Sequence, residues 1–227
     1  MATILITGAN RGIGLELARQ YAAAGDTVIR AMRGADKANG ALGEALPLDV
    51  SSDASVAALA QALTGRPIDL LINNAGVIGP DMARQTGFEM DFAGFLSTLD
   101  VNTLGPLRVT QALLPNLRAA RGAKVAVVSS RMGQFDSGDF GGPSGFVAYR
   151  ASKAAVNKVF QCLAADLRGE GIAVAMLHPG YVRTDMGGAG ADIEPADSAR
   201  GIRAVLAGLD LASTGRFMAY DGTALAW

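Results

Sequence analysis

Tyr149 and Lys153 stand four residues apart in the run AYRASK, a spacing that puts a phenol and an ammonium on one face of a helix. With four tyrosines and four lysines in 227 residues, such a pair arises by chance only about 0.07 times. It is the sharpest single signal in the chain. A free phenol has a pKa of about 10 and exchanges protons poorly at neutral pH, but an adjacent ammonium favours the phenolate. Bringing that pKa to about 7 takes roughly 4 kcal/mol of differential interaction. Ser130, nineteen residues before Tyr149, ends an apolar run and is placed to bond a substrate oxygen. The chemistry expected is general acid/base transfer at oxygen, with Tyr149 as the proton donor or acceptor. The plainer reading is a surface Tyr–Lys pair beside a serine loop.

A second group of residues reads as a phosphate site. After ILIT come Gly8, Ala9, Asn10, Arg11, Gly12, Ile13 and Gly14, and then a helical pattern. Glycine lets backbone approach a pyrophosphate, and a helix N-terminus offers free N–H groups with a positive dipole end. The chain holds 29 glycines, about 13% against roughly 7% in average proteins, so the spacing alone is weak. Its position between the first strand and first helix gives it weight. The second apolar run ends Val28–Gly34 with no carboxylate and with Arg33, which suits the 2′-phosphate of NADP rather than the free ribose of NAD. Arg11 can grip the same phosphate from the other side. Asp49 is placed for the adenine end; its plainer reading is a helix cap with Ser51 and Ser52. Asn73, Ala75 and Gly76 close the LLINNAG run beside the cofactor path. Asn102 breaks a helical pattern and can hold a water or backbone group, or simply cap a helix.

Competing chemistries fare badly. The only histidine, His178, ends a strand pattern before Pro179, and no GxSxG elbow exists, so it reads as structural. One histidine and one cysteine cannot make a transition-metal site, so no metal is expected. Cys162 reads as a small helix-packing residue in a reducing compartment. A net charge of −1 carries no footprint for nucleic acid. No apolar run approaches the roughly 18 residues of a membrane span. Strand-like ATILIT at Ala2 leaves no room for a leader, so a cytoplasmic chain is expected.

The elements that must position these residues alternate. Strands are expected at Thr3–Thr7, Thr27–Met32, Asp69–Asn73, Ala123–Ser129, Ala173–His178 and Gly215–Ala219, with a seventh including Leu46–Leu48. Helices are expected at Gly12–Ala24, Asp53–Thr64, Phe88–Asp100, Thr103–Ala120, Ala148–Arg168 and Pro195–Gly208. Continuously apolar strands separated by helices imply a doubly wound parallel α/β sheet. Sites in such sheets lie beyond the carboxyl ends of the strands, where the residues above fall.

The motifs TGANRGIG, LDV, NNAG, VNTLGP, SSRMG, YRASK and HPGYVRTDMGG stand in one order, and together they resemble the short-chain dehydrogenase/reductase family. The resemblance covers essentially the whole chain. It implies one Rossmann domain over residues 1–227, with about seven strands in the order 3-2-1-4-5-6-7. It implies the tetrad Asn102, Ser130, Tyr149 and Lys153, with Lys153 also holding the nicotinamide ribose. Val50 of the LDV motif, and Pro179, Gly180, Val182 and Thr184, are then cofactor neighbours. GFVAYRASKAAVN, LHPGYVRTDMGG and YDGTALAW look like the carbonyl-reductase-like branch, which includes sniffer-like and bacterial C-factor-like proteins. NADPH-dependent reduction of an aldehyde or ketone follows as the implied activity; a nucleotide-binding signalling or sensor role is the alternative. Substrate loops are expected at about 131–147 and 180–195.

Apolar stripes on 103–120 (Leu104, Leu107, Val109, Leu113, Leu114, Leu117) and on 148–168 (Ala151, Ala155, Val159, Leu163 and neighbours) are wider than one sheet contact needs. A homodimer packing these helices is expected, with a tetramer left open.

Overall fold

The computed structural model describes residues 1–35, 42–135 and 145–227. Of the glycines expected in the first substrate loop, Gly138, Gly141 and Gly142, with Pro143, lie outside the described residues. Seven strands form one parallel sheet: β1 Thr3–Thr7, β2 Thr27–Met32, β3 Glu44–Pro47, β4 Leu70–Asn73, β5 Lys124–Val128, β6 Ala173–His178 and β7 Arg216–Ala219. Their order is β3-β2-β1-β4-β5-β6-β7. In the centre of the sheet Leu5 pairs with Ile29 on one side and Leu71 on the other, and all three are fully buried. Strands covered on both faces need no polar alternation, which is why ILI, LLI and VAVV are apolar throughout.

The helices are α1 Gly12–Ala23, α2 Asp53–Ala62, α3 Phe92–Leu99, α4 Gly105–Ala112, α5 Leu114–Ala119, α6 Val147–Arg168 and α7 Pro195–Ala207. One face of the sheet packs Leu17 and Tyr21 of α1 with Ile202 and Leu206 of α7. The other packs Val56 and Leu59 of α2, Val109 of α4, Leu117 of α5 and Phe160 of α6. The strand order reverses between β1 and β4, so a crevice opens at their carboxyl ends.

Two expected helices differ. The pattern from Phe88 becomes helical only at Phe92, where the Asp91 carboxylate accepts the Gly94 N–H at 2.9 Å. Before it, the Thr86 hydroxyl accepts the N–H groups of Phe88 and Glu89, holding a turn instead. The expected helix Thr103–Ala120 is three pieces. A π-helical turn spans Asp100–Leu104, and α4 ends at Ala112 because Pro115 has no N–H to carry the ladder on. Cys162 is exposed rather than packed, since the core stripe of α6 runs through Val156, Phe160 and Ala164. Trp227, undecided from sequence, stacks on Phe217 of β7 with ring centroids 5.9 Å apart. Among the described residues no helix is long and apolar enough to cross a membrane.

Candidate active site

The crevice is a cleft of about 850 Å³ running from the β2 end to α6. Its floor begins at the β1–α1 turn. Gly8, Asn10, Arg11, Gly12 and Ile13 all line it. Gly8 has φ +67°, and a side chain there would meet the Ala75 Cα at 2.9 Å, so only glycine lets the two loops touch. Gly14 does not reach the cleft wall. A Cβ on it would sit 2.4 Å from Asn74 Nδ2 and 2.6 Å from the Gly8 carbonyl, so its smallness serves packing of α1 against the loops. The first turn of α1 holds no acidic residue, and Arg11 gives it no side-chain cap. Its N–H groups therefore face the cleft without an internal anion, and the open glycine cradle fits a pyrophosphate.

At the β2 end, Arg33 is exposed on the wall beside Asp49 and Val50. The Asp49 carboxylate accepts the Ser51 hydroxyl at 2.6 Å and the Ser51 N–H at 3.0 Å. Those bonds, with Arg33 adding a smaller share, hold it below the usual carboxylate range. Ser52, not Asp49, caps α2. Across the mouth, the Arg11 guanidinium pairs with Asp185 at 2.5 Å.

The middle of the cleft differs from expectation by one residue. Asn73 turns away and donates to the Thr110 hydroxyl at 3.0 Å in the core, whereas Asn74 lines the wall. Asn74 Nδ2 donates to the carbonyls of Thr7 and Gly8, tying β4 to β1. Neighbouring residues at a strand end face opposite ways, and sequence alone does not say which of two asparagines faces the ligand. Ala75 and Gly76 line the cleft. Beyond β6, Pro179 and Thr184 line it, while Gly180 and Val182 do not; Val182 is buried against Ile193. Arg183, Asp185 and Met186, inside the loop expected at 180–195 but not singled out from sequence, also form wall. His178 carries a buried Nδ1 without a partner, and burial pushes its imidazole down to about 4, so it stays neutral.

The four residues of the expected tetrad converge around α6. Tyr149 and Lys153 line the cleft, and the Lys153 Nζ lies 5.5 Å from the Tyr149 ring centre. Ser130 stands near enough to the Tyr149 phenol to favour its ionised form, although Ser129 rather than Ser130 lines the cleft, and the Ser130 hydroxyl accepts the Met132 N–H at 3.1 Å. Asn102 stands behind them in the π-helical turn. Its carboxamide accepts the Val77 N–H and donates to the Val77 carbonyl, both at 2.8 Å, and donates to the Ser152 hydroxyl at 3.0 Å. It caps no helix, because the chain is already helical on both sides of it.

The electrostatics of the chain's own groups run against the pull that the spacing suggests. Burial raises the Tyr149 phenol to about 12, with only Ser130 opposing. Burial also lowers Lys153 to about 8, while its Nζ donates to the Val128 carbonyl at 2.9 Å. Both groups are 8% exposed or less. Desolvation of each charged form therefore outweighs the attraction that the spacing suggested. The resting phenol is neutral and holds a proton to give.

Residues 2–193 match the model of the short chain dehydrogenase family. The chain belongs to that family. Within it, the C-signal of Myxococcus xanthus is 46% identical over 161 residues, covering 71% of this chain and 93% of its own. A 1-hydroxy-2-glutathionyl-2-methyl-3-butene dehydrogenase from Rhodococcus is 37% identical over the whole of both chains. The carbonyl reductase from chicken fatty liver, solved with NADPH bound, superposes with a TM-score of 0.90 at 30% identity, covering 100% of this chain and 99% of its own. The similarity to that carbonyl reductase places this dehydrogenase beside the carbonyl-reductase-like branch.

Proposed function

We propose that this dehydrogenase reduces an aldehyde or ketone to an alcohol with NADPH, reversibly, and that Tyr149 is its general acid. The observation that carries the reading is the buried Tyr149 phenol on the cleft wall, with the Lys153 ammonium 5.5 Å from its ring centre and Ser130 close by. Bound NADPH would supply the hydride that forms the new C–H bond. Tyr149 gives its proton to the carbonyl oxygen as that oxygen gains charge, and Ser130 donates a second hydrogen bond to it. Lys153, charged below about pH 8, then stabilises the phenolate left behind. Asn102 holds the Val77 backbone and α6 in register. In the oxidation direction Tyr149 takes the alcohol proton.

The cofactor cradle in this reading runs from Gly8, Asn10, Arg11, Gly12 and Ile13 through Ala75 and Gly76 to Pro179 and Thr184. Arg33 and Arg11 hold the 2′-phosphate, which selects NADPH over NADH. The bound NADPH of the chicken enzyme supports that choice. Loops 131–135, 145–147 and 180–195 would shape the substrate pocket. Of the expected dimer stripes Val109, Leu113, Leu117 and Phe160 are buried in the core, so a second copy would pack on what is left, Leu104, Leu107 and Val159, with the neighbouring exposed Phe92 and Leu96, giving a homodimer that light scattering can check. An NADPH enzyme with one free, exposed Cys162 suits the reducing cytoplasm.

The alternative, a nucleotide-binding signalling protein, is brought up by the similarity to the C-signal but is not favoured by the carbonyl-reductase neighbours. Tyr149→Phe separates them. The substituted protein should lose carbonyl reduction by about 10³-fold while binding NADPH within a few-fold of the parent. Tight NADPH binding by the parent with no turnover across a broad carbonyl panel would favour the signalling role.

A further inference from the structure

Helix α6 begins without a cap of its own. Phe146, at its N-cap position, offers no side-chain hydrogen bond and sits at φ 58°, ψ 34°. It is the one non-glycine residue among those described with a positive φ. Three residues later stands Tyr149, so the first-turn N–H groups of this helix fix where the phenol lies.

Those N–H groups are answered from a distant loop. The Gln85 carbonyl accepts the Val147 N–H at 3.0 Å, and its side-chain Oε1 accepts the Tyr149 N–H at 3.4 Å. Gln85 Nε2 donates to the carbonyls of Pro80 at 2.6 Å and Ile78 at 3.3 Å. Gln85 is fully buried, and both polar atoms of its side chain are engaged. The segment it grips begins one residue after Val77, which Asn102 holds. Asn102 donates on to the Ser152 hydroxyl, and that hydroxyl donates to the Tyr149 carbonyl at 2.7 Å. Two carboxamides thus run from the 77–80 segment to opposite ends of the Tyr149 backbone unit, one to its N–H and the other, through Ser152, to its C=O.

We infer that Gln85 is a positioning residue for the reaction, an external cap that sets the register of Tyr149 against Ser130 and the cofactor loop. The inference rests on Tyr149 being the general acid. A displacement of about 1 Å at such a group costs on the order of 10²-fold in rate. Gln85→Leu keeps bulk but leaves the Tyr149 N–H and the Pro80 and Ile78 carbonyls unanswered. Gln85→Glu is isosteric. When protonated it can accept from Tyr149 and donate to Pro80; when ionised it sets a carboxylate against two carbonyls.

The test compares Gln85→Leu, Gln85→Glu and Tyr149→Phe, using NADPH and the best carbonyl substrate of a panel. Amide exchange of the NADPH-free protein is followed alongside. Gln85→Leu should lower kcat by 10- to 100-fold with NADPH affinity within about threefold. It should speed exchange in the 147–150 segment but not near Arg168. Gln85→Glu should show near-parental kcat at low pH and lose it through a single proton step that the parent lacks; it decides the matter if Gln85→Leu does not fold. Parental kcat in Gln85→Leu, or a Gln85→Glu profile matching the parent, overturns the inference. Activity surviving in Tyr149→Phe would instead overturn the reading beneath it.

Discussion

At the β1–β2 end of the cleft the charged groups stand in water: the side chains of Arg11 and Asp185 are 66% and 75% exposed, and Arg33 is exposed beside them. At the β4–β5 end Asn102, Ser130, Tyr149 and Lys153 are 1–8% exposed and joined to named partners. The first end is made for attraction at a distance, where each contact is small and salt-sensitive. The second is made for chemistry, where desolvation magnifies every interaction and a mistake is costly. Substitutions at the buried end should therefore cost much and ignore salt, and those at the open end should cost little and follow it.

After Tyr149 itself, the largest effect is expected at Lys153. Lys153→Met should lower kcat by about 10²- to 10³-fold, because it removes the ammonium that stands 5.5 Å from the Tyr149 ring centre and can stabilise the phenolate. Stability should move the other way. Folding lowers this amine from about 10.5 to about 8, so the native state binds fewer protons than the unfolded chain between those values. Parental stability should then rise with pH from about 8 to 10, by up to about 3 kcal/mol. Tyr149 has the opposite sign: its raised value means stability is lost above about pH 10. Chemical denaturation of Lys153→Met should lack the rise, and a retained rise would assign it elsewhere.

Next comes Gly14, buried and structural although it sits in the open half. Gly14→Ala would drive a methyl against Asn74 Nδ2 and the Gly8 carbonyl, at a cost of about 2–3 kcal/mol. Thermal unfolding should show the loss with and without NADPH. A drop confined to NADPH binding would mean that Gly14 serves the ligand directly.

These two residues also mark what could be read in advance. The central strands were legible because ILI, LLI and VAVV are continuously apolar and closed by polar or small residues, whereas the order of all seven came only from the family resemblance. Tyr149 and Lys153 were legible because helical spacing is rigid. The direction of their pKa values was not, since burial depends on packing that no local pattern contains. Asn74 was missed because two adjacent asparagines look alike until a strand end assigns their faces. Arg183, Asp185 and Met186 fall in the expected 180–195 loop, but a loop has no period that says which of its side chains face the cleft. Gln85 was invisible, since its partners Tyr149 and Val147 lie more than sixty residues away.

Arg33→Ala tests the open end. The guanidinium can make charge-assisted bonds to a 2′-phosphate but has nothing to grip on NADH. NADPH should bind about 10-fold more weakly and NADH unchanged, with catalysis at saturation near parental. Equal weakening of both cofactors, read by fluorescence titration, would place Arg33 on the adenine or the loop rather than the phosphate.

The smallest effect is expected at Asp185, and its smallness is informative. The Arg11–Asp185 pair spans the cleft mouth with both partners mostly exposed, so it contributes under about 1 kcal/mol. An incoming phosphate must share Arg11 with that carboxylate. Asp185→Asn removes the competitor and should tighten NADPH by about threefold at low salt, with the gain gone by about 0.5 M salt as the Debye length shrinks. A gain that survives high salt would mean that Asp185 restrains the 181–191 loop through packing, and the open end of the cleft would then share the mechanical character of the buried one.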